Sequence, residues 1–314
     1  MKTVTVQNIL SYNDESNNIF QLSFISENAN LTAKISKIDI NRPGLALAGF
    51  FEKFSHERVQ IFGRGESAFL ESLSITKQAD ILNQFFQYKF NLCFFSHGIM
   101  PSEIFLKYAD KKKVAVLVSN LTTAQSISSL TQFLEYELAP SVRLHGVLVD
   151  VFGEGVLLIG KSGVGKSEVA LELIKRGHRF VADDVVDIKK TGHSVLTGQS
   201  DAVIMHKIEV RGLGIIDVKR IFGVGSVRAS KRIDMVIQMD EWHHGSDYDR
   251  LGKDCVYYDI LDVKIPMLEL PVKAGRNVAV IIETSVMNKR LKDTGYNSLD
   301  EIEKDMRYKK VAQK

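Results

Sequence analysis

Apolar positions in the first part of this chain fall into short blocks separated by polar stretches of helical period. Val4 to Ile9 and Phe20 to Phe24 open it with a β-rich texture. Arg58 to Phe62, Asn91 to Phe95 and Lys113 to Val118 then read as strands, and Ile75 to Tyr88 and Pro101 to Tyr108 between them as helices. Such alternation predicts a small sheet covered by helices. Thr122 to Leu138 is a long helical segment that Pro140 stops. The domain boundary falls near that proline, with an N-terminal α/β domain over 1–130 and a second domain over 131–314.

Past Pro140 the texture changes to closely spaced strands. Leu144 to Phe152, a Gly153-Glu154-Gly155 turn and Val156 to Ile159 lead into a glycine-rich loop and a helix that Gly177 ends. Strand-like runs follow at Arg179 to Ala182, Asp187 to Lys189, Ala202 to Met205, Ile208 to Val210, Arg232 to Gln238, Val256 to Leu261 and Val278 to Glu283. Ser298-Leu299-Asp300-Glu301 has capping-box spacing ahead of Ile302 to Tyr308, which predicts a C-terminal helix. No internal repeat or low-complexity segment interrupts the chain.

Composition narrows the function classes. At 314 residues, 45% hydrophobic and 25% charged, the chain has the make-up of a folded protein of two domains. Its apolar stretches are far shorter than a membrane span and the N-terminus lacks a signal-peptide core, so the expected location is cytoplasmic, with no membrane partner. The two cysteines, Cys93 and Cys255, have neither disulfide-framework nor zinc-site spacing. A net charge of +3 is too small and too evenly spread to favour nucleic acid as partner.

Chemistry enters with the loop. Gly160-Lys161-Ser162-Gly163-Val164-Gly165-Lys166-Ser167 matches G-x-x-x-x-G-K-[ST] in full, between an apolar strand and a helix-forming run. Its glycines let backbone N–H groups converge on an anion, Lys166 reaches outer phosphates, and the Ser167 hydroxyl is placed to hold Mg²⁺. A parallel strand over Arg179 to Ala182, reached by a right-handed crossover, brings Asp183 and Asp184 beside the loop. Two carboxylates there divide the work, one near the metal and one accepting a proton.

Other motifs stay open on spacing alone. Ile233 to Glu241, an apolar strand ending in Asp240-Glu241, is a rival acid of the motor-ATPase kind, ranked second because Gln238 breaks the run and no L-S-G-G-Q signature accompanies it. Ile208-Glu209-Val210-Arg211-Gly212-Leu213-Gly214-Ile215-Ile216-Asp217 reads either as a functional segment or as a strand and bulge with Glu209 and Arg211 paired across the surface. His145, Arg250, Lys273 and Arg276 are open between anion contacts and plain surface.

Taken together, the loop followed by Glu168, the Val181-Ala182-Asp183-Asp184 strand end, the Ile208 to Asp217 segment and Pro271-Val272-Lys273-Ala274-Gly275-Arg276 closely resemble the bacterial HPr kinase/phosphorylase family. His145 and Arg250 fit the same pattern. The resemblance implies a bifunctional enzyme that phosphorylates a serine of the phosphocarrier protein HPr and removes that phosphate by phosphorolysis, with ATP or pyrophosphate as donor and Mg²⁺ as metal. It implies a catalytic domain akin to phosphoenolpyruvate carboxykinase behind an N-terminal domain of unknown role. It also implies a homohexamer under fructose 1,6-bisphosphate and phosphate, and a part in carbon catabolite control.

By the same resemblance Asp184 is the base in one direction and the acid in the other. His145, Lys166 and Arg250 are its catalytic partners, and Ser167 and Glu209 hold the metal with support from Asp183. The Ile208 to Asp217 segment serves catalysis, and the Pro271 to Arg276 segment chiefly serves dephosphorylation. Two alternatives remain at this stage, a small-molecule phosphate-loop kinase and a nucleotide-sensing interaction protein.

Overall fold

A computed structural model describes residues 2–192, 194–242, 256–273, 275–297 and 301. The chain divides into two compact units between Ala139 and Pro140, so a helix that an edge at 130/131 would cut stays whole in the first.

The N-terminal unit contains, in chain order, β1 (Val4–Thr5), α1 (Val6–Glu15), β2 (Leu22–Phe24), β3 (Lys34–Ile35), β4 (Ile40–Asn41), α2 (Gly44–Leu47), β5 (Val59–Phe62), α3 (Arg64–Ser72), α4 (Ile75–Phe85), β6 (Leu92–Phe95), α5 (Glu103–Lys111), β7 (Ala115–Ser119) and α6 (Thr123–Leu138). Five strands form one sheet in the order β2-β7-β6-β5-β4, parallel except for the edge strand β2. Helices cover both faces, through Leu47, Leu82, Phe85 and Phe105 on one side and Ile9, Leu130, Phe133 and Leu134 on the other. That double burial is why β6 and β7 read as nearly continuous apolar runs, and in β5 it extends to Gln60, which is itself buried. Of the β-rich start, Leu22–Phe24 is the strand β2, but Val4 to Ile9 is strand only as far as Thr5. The Thr5 side chain accepts from the Asn8 N–H while Asn8 Oδ1 accepts from the Thr5 N–H, and this capping box starts a helix that buries Val6 and Ile9 three residues apart.

The C-terminal unit begins with β8 (Ser141–His145), β9 (Val147–Val151), β10 (Glu154–Gly160), α7 (Lys166–Lys175), β11 (Arg179–Ala182), β12 (Val185–Thr191), β13 (Val195–Gln199), β14 (Lys207–Val210) and β15 (Gly214–Asp217). It continues with α8 (Val218–Phe222), β16 (Ser230–Arg232), β17 (Met235–Glu241), β18 (Val256–Ile260), β19 (Val263–Val272) and α9 (Val278–Asp293). A six-stranded mixed sheet, β11-β9-β10-β17-β19-β18, is its centre. Along β9 and β10 the side chains alternate. Val147, Val149, Val156 and Leu158 pack on α7 and α9, while Leu148, Leu157 and Ile159 pack on Val186, Ile188 and Leu196 of a second, antiparallel sheet ordered β16-β13-β12-β8.

Two expected strands turn out otherwise. Val278 to Glu283 is the start of α9: Asn277 Oδ1 accepts from the Val280 N–H at 3.1 Å, and Val278, Ala279, Ile282 and Val286 are buried at helical spacing. A β-branched apolar run of that kind is ambiguous by period, and the cap decides it. Ala202 to Met205 holds a single 3₁₀ turn over Ala202–Ile204, capped by the Asp201 side chain. The helix expected over Ile302 to Tyr308 lies outside the described residues. No described helix is long and apolar enough to cross a membrane.

Candidate active site

Two chain segments leave the six-stranded sheet side by side and enter the four-stranded one. β9 pairs with β11 as far as Leu148 with Ala182, and past the step β8 pairs with β12 from His145 with Val185. The step is Gly146 on one segment and Asp183-Asp184 on the other, tied where the Gly146 N–H donates to the Asp184 carbonyl at 3.0 Å. A Cβ on Gly146 would stand 2.6 Å from the Leu158 carbonyl oxygen, so only glycine fits. Asp184 turns the corner at φ 64°, a left-handed conformation that Asp adopts more readily than most side chains. Its carboxylate emerges exposed, with Oδ1 3.1 Å from His145 Nδ1.

The phosphate loop faces this corner. β11 is parallel to β10, as expected, but the two are not neighbours, because β9 runs antiparallel between them. Gly160, Gly163 and Gly165 have φ of 144°, 86° and 98°, and a Cβ on Gly160 would run into the Met239 carbonyl. Among the described residues, the N–H groups of Ser162, Gly163 and Gly165 donate to no acceptor in the chain, which leaves them for an anion at the start of α7. The buried Lys166 ammonium donates to the Gly160 and Lys161 carbonyls at 2.9 and 3.1 Å. Burial holds it below the usual lysine range against the raising influence of Asp183, Asp184 and Glu168.

Asp183 ties the loop to the segment over Ile208 to Asp217. Its Oδ1 accepts from Ser167 Oγ at 2.9 Å and its Oδ2 from the Glu209 N–H at 2.9 Å. Burial pushes this carboxyl above the ordinary range, the negative neighbour Asp184 adds to the rise, and the hydrogen bonds only partly offset it. The segment itself is the β14–β15 hairpin, turned with φ of 85° at Gly212 and 80° at Gly214. Ile208 and Val210 point into the core, so Glu209 and Arg211 take the other face. Both line the cleft, and the Arg211 guanidinium covers Gly163, with Nη2 3.4 Å from where a Cβ would be. The choice left open by spacing thus falls on the cleft.

The result is an open cleft of about 140 Å³ lined by His145, Ser162, Gly163, Gly165, Lys166, Ser167, Glu168, Asp183, Asp184, Glu209 and Arg211. Among the described residues no three His, Cys, Asp or Glu side chains gather into a self-sufficient metal site. Ser167, Asp183 and Glu209 offer oxygen only, which fits a hard cation whose coordination is completed by phosphate and water.

Other expected residues lie apart from the cleft or outside the described residues. β17 is the direct parallel neighbour of β10, with Met239 beside Gly160, so Asp240 and Glu241 do arrive at the same sheet edge. Neither lines the cleft, and Asp240 Oδ1 accepts from Gln238 Nε2 at 3.3 Å. Pro271 to Arg276 follows one strand further along, with Pro271 beside Asp240. There Arg276 Nη1 donates to the Pro271 carbonyl at 3.0 Å, and Lys273, Gly275 and Arg276 border a separate hollow with Trp242. Arg250, Ala274 and Cys255 lie outside the described residues; Cys93 is buried, which pushes its thiol up. Gly146 was missed in the sequence, although a glycine breaking the Leu144 to Phe152 run was its signal.

A glycine loop with free donors between a strand and a helix, faced by two carboxylates at a strand end, defines a phosphotransferase of the phosphate-loop α/β class. The family descriptions "HPr Serine kinase N terminus" and "HPr Serine kinase C-terminal domain" match residues 4–134 and 136–306. The HPr kinase/phosphorylase of Leptospira biflexa is 44% identical over 300 residues, 95% of this chain and 92% of that protein. That of Treponema pallidum is 46% identical over 281 residues, 89% and 88%. A solved structure of the Hpr(Ser) kinase/phosphatase from Coxiella burnetii is 34% identical, covering 51% of this chain and 98% of that one with a TM-score of 0.46. The chain belongs to the HPr kinase/phosphorylase family.

Proposed function

We propose that this protein transfers a phosphoryl group from ATP or pyrophosphate to a serine of HPr, and returns it from phosphoserine to inorganic phosphate. One observation carries the reading: the exposed Asp184 carboxylate and the free donors of the phosphate loop line the same cleft. The relatives that match most of the chain's length are named for both activities.

Donor phosphates lie along the Ser162, Gly163 and Gly165 N–H groups, and Lys166 exchanges its two loop carbonyls for phosphate oxygens. Arg211, poised over Gly163, adds a second cation on the outer side. Ser167, Asp183 and Glu209 hold Mg²⁺, which supplies neutralisation of charge on the donor. Asp184 takes the serine hydroxyl proton as the phosphoryl group leaves the donor, and His145 at 3.1 Å steadies the carboxylate. In reverse, Asp184 gives a proton to the serine oxygen as inorganic phosphate attacks the phosphoserine. Arg250 and the Pro271 to Arg276 segment supply further cations, the latter for incoming phosphate. A hexameric assembly, control by fructose 1,6-bisphosphate and phosphate, and a cytoplasmic place complete the reading by family likeness.

The test is direct. The protein is incubated with HPr, ATP and Mg²⁺, then with phosphoserine-HPr and phosphate. Serine phosphate in the first reaction and pyrophosphate in the second are expected, and absence of both overturns the reading. A metabolite phosphorylated in preference to HPr would instead mark a small-molecule kinase.

A further inference from the structure

The phosphate-loop cleft offers a donor groups suited to phosphate. The Ser162, Gly163 and Gly165 N–H groups donate to no acceptor among the described residues, and the Lys166 ammonium comes from the first turn of α7. Oxygens for a cation come from Ser167, Asp183 and Glu209. Arg211, the one guanidinium of the lining, stands over Gly163 and so over the phosphate end of any donor. Each of these groups is spent on the phosphate chain or on the cation that accompanies it.

A nucleoside asks for a different wall. Bases are held by stacking on aromatic side chains, and pockets that bury an organic molecule enclose roughly 300–1,000 Å³ behind mostly apolar side chains. This cleft measures about 140 Å³ and is open. Among the described residues its lining holds no Phe, Tyr, Trp, Leu, Ile, Val or Met side chain. Val164, the apolar side chain of the loop itself, is buried in the core around α7. Trp242, past the end of β17, borders the separate hollow with Lys273, Gly275 and Arg276. The wall that would read a base is therefore missing where the phosphates sit.

We infer that the donor is recognised through its phosphate chain and cation alone, so that inorganic tripolyphosphate and nucleoside triphosphates of any base serve as donors. The inference rests on the proposed transfer to HPr and extends it to a class of donor. In the step, the serine oxygen bonds to the terminal phosphorus, the bond to the bridging oxygen breaks, and Asp184 takes the hydroxyl proton. The bridging oxygen leaves with the rest of the chain, as pyrophosphate from tripolyphosphate or as a nucleoside diphosphate. A nucleoside that touches nothing adds nothing to the stability of the transition state.

The test compares ATP, GTP and tripolyphosphate as donors to HPr, with the full chain, Mg²⁺ and an inorganic pyrophosphatase to remove pyrophosphate. Phosphoserine is read by mass spectrometry. The kcat/KM for GTP is expected within about threefold of that for ATP, and for tripolyphosphate within about tenfold. A site built around the nucleoside would reject a donor lacking it by about 10⁴-fold. Calorimetry without HPr gives a second reading. Tripolyphosphate should displace the β,γ-imido analogue of ATP, and Trp242→Ala should leave the affinity for that analogue within about twofold. A loss above about a hundredfold with GTP or tripolyphosphate, while ATP still phosphorylates HPr, overturns the inference and leaves the proposed function standing. So does a Trp242→Ala variant that loses the ATP analogue and keeps tripolyphosphate. Phosphorylation from none of the donors would overturn the proposed function instead, and displacement in the calorimeter would still decide what the cleft recognises.

Discussion

Both units end parallel strands at an edge where helices begin, yet only one of those edges is open for chemistry. In the N-terminal unit most of the polar groups there are spent on one another, the buried Ser67 and Ser126 hydroxyls being left without a partner among the described residues. Gly63 N–H donates to Glu66 Oε2 at 3.0 Å, Arg42 holds the same carboxylate at 3.0 Å, and the Ser96 and Thr123 hydroxyls share a hydrogen bond of 2.7 Å. His97 and Gly98 N–H groups donate to the Leu121 and Ser119 carbonyls, each at 2.7 Å. In the C-terminal unit the loop keeps its donors free and its lysine on its own carbonyls. A parallel sheet edge is thus a place where a ligand site can be built, and the accounting of donors says whether one was.

The sharpest way to break this contrast is at Asp184. Asp184→Asn should lower the phosphorylation rate of HPr by about 10²–10⁴ with nucleotide affinity unchanged, read by single-turnover kinetics and equilibrium binding. Next comes the loop itself. Gly160→Ala forces a side chain into the Met239 carbonyl at a φ of 144°, so nucleotide binding should fall at least about tenfold, and the thermal midpoint with it.

At the closed edge the effect should be on stability alone. Burial would raise the Glu66 carboxyl, but hydrogen bonds from Arg42 and the Gly63 N–H, with the Arg42 charge, outweigh it and hold the group below its ordinary 4.5. A depressed carboxyl stabilises the fold at pH above its unfolded value and loses that contribution as pH falls through the folded one. Glu66→Gln should cost about 1–3 kcal/mol at neutral pH, with the difference from wild type closing in acid and kinase activity intact at saturating substrate. Thermal unfolding across pH 2 to 7, on the order of the carboxylate range, measures it. The smallest effect is expected at the neighbouring strand. Asp240→Asn should change the rate only a few-fold, less than about 1 kcal/mol in activation free energy, and a loss as large as that of Asp184→Asn would move the catalytic acid to β17.

Much of the site was readable in the chain, for specific reasons. The phosphate loop is a local object, since the glycines, lysine and serine act within one strand–turn–helix. Asp183-Asp184 was found because a crossover from that loop must end near it. The β14–β15 hairpin was recognised as a segment but not placed, because nothing local says that Asp183 reaches the Glu209 N–H. Helix and strand were confused where β-branched residues crowd, at Val4 to Ile9 and Val278 to Glu283, since period alone is weak over five or six residues and a single capping side chain outweighs it.

By itself the sequence determined the anion cradle, the α/β class of both units and the acids that had to lie near the cradle, all consequences of neighbouring residues and short connections. Only the tertiary structure decided which acid is buried and which exposed, that His145 meets Asp184, and that Arg211 covers the loop. Those outcomes depend on two segments stepping together from one sheet to another at Gly146 and Asp183-Asp184. That step is a packing solution between residues about forty positions apart, and local pattern has no term for it.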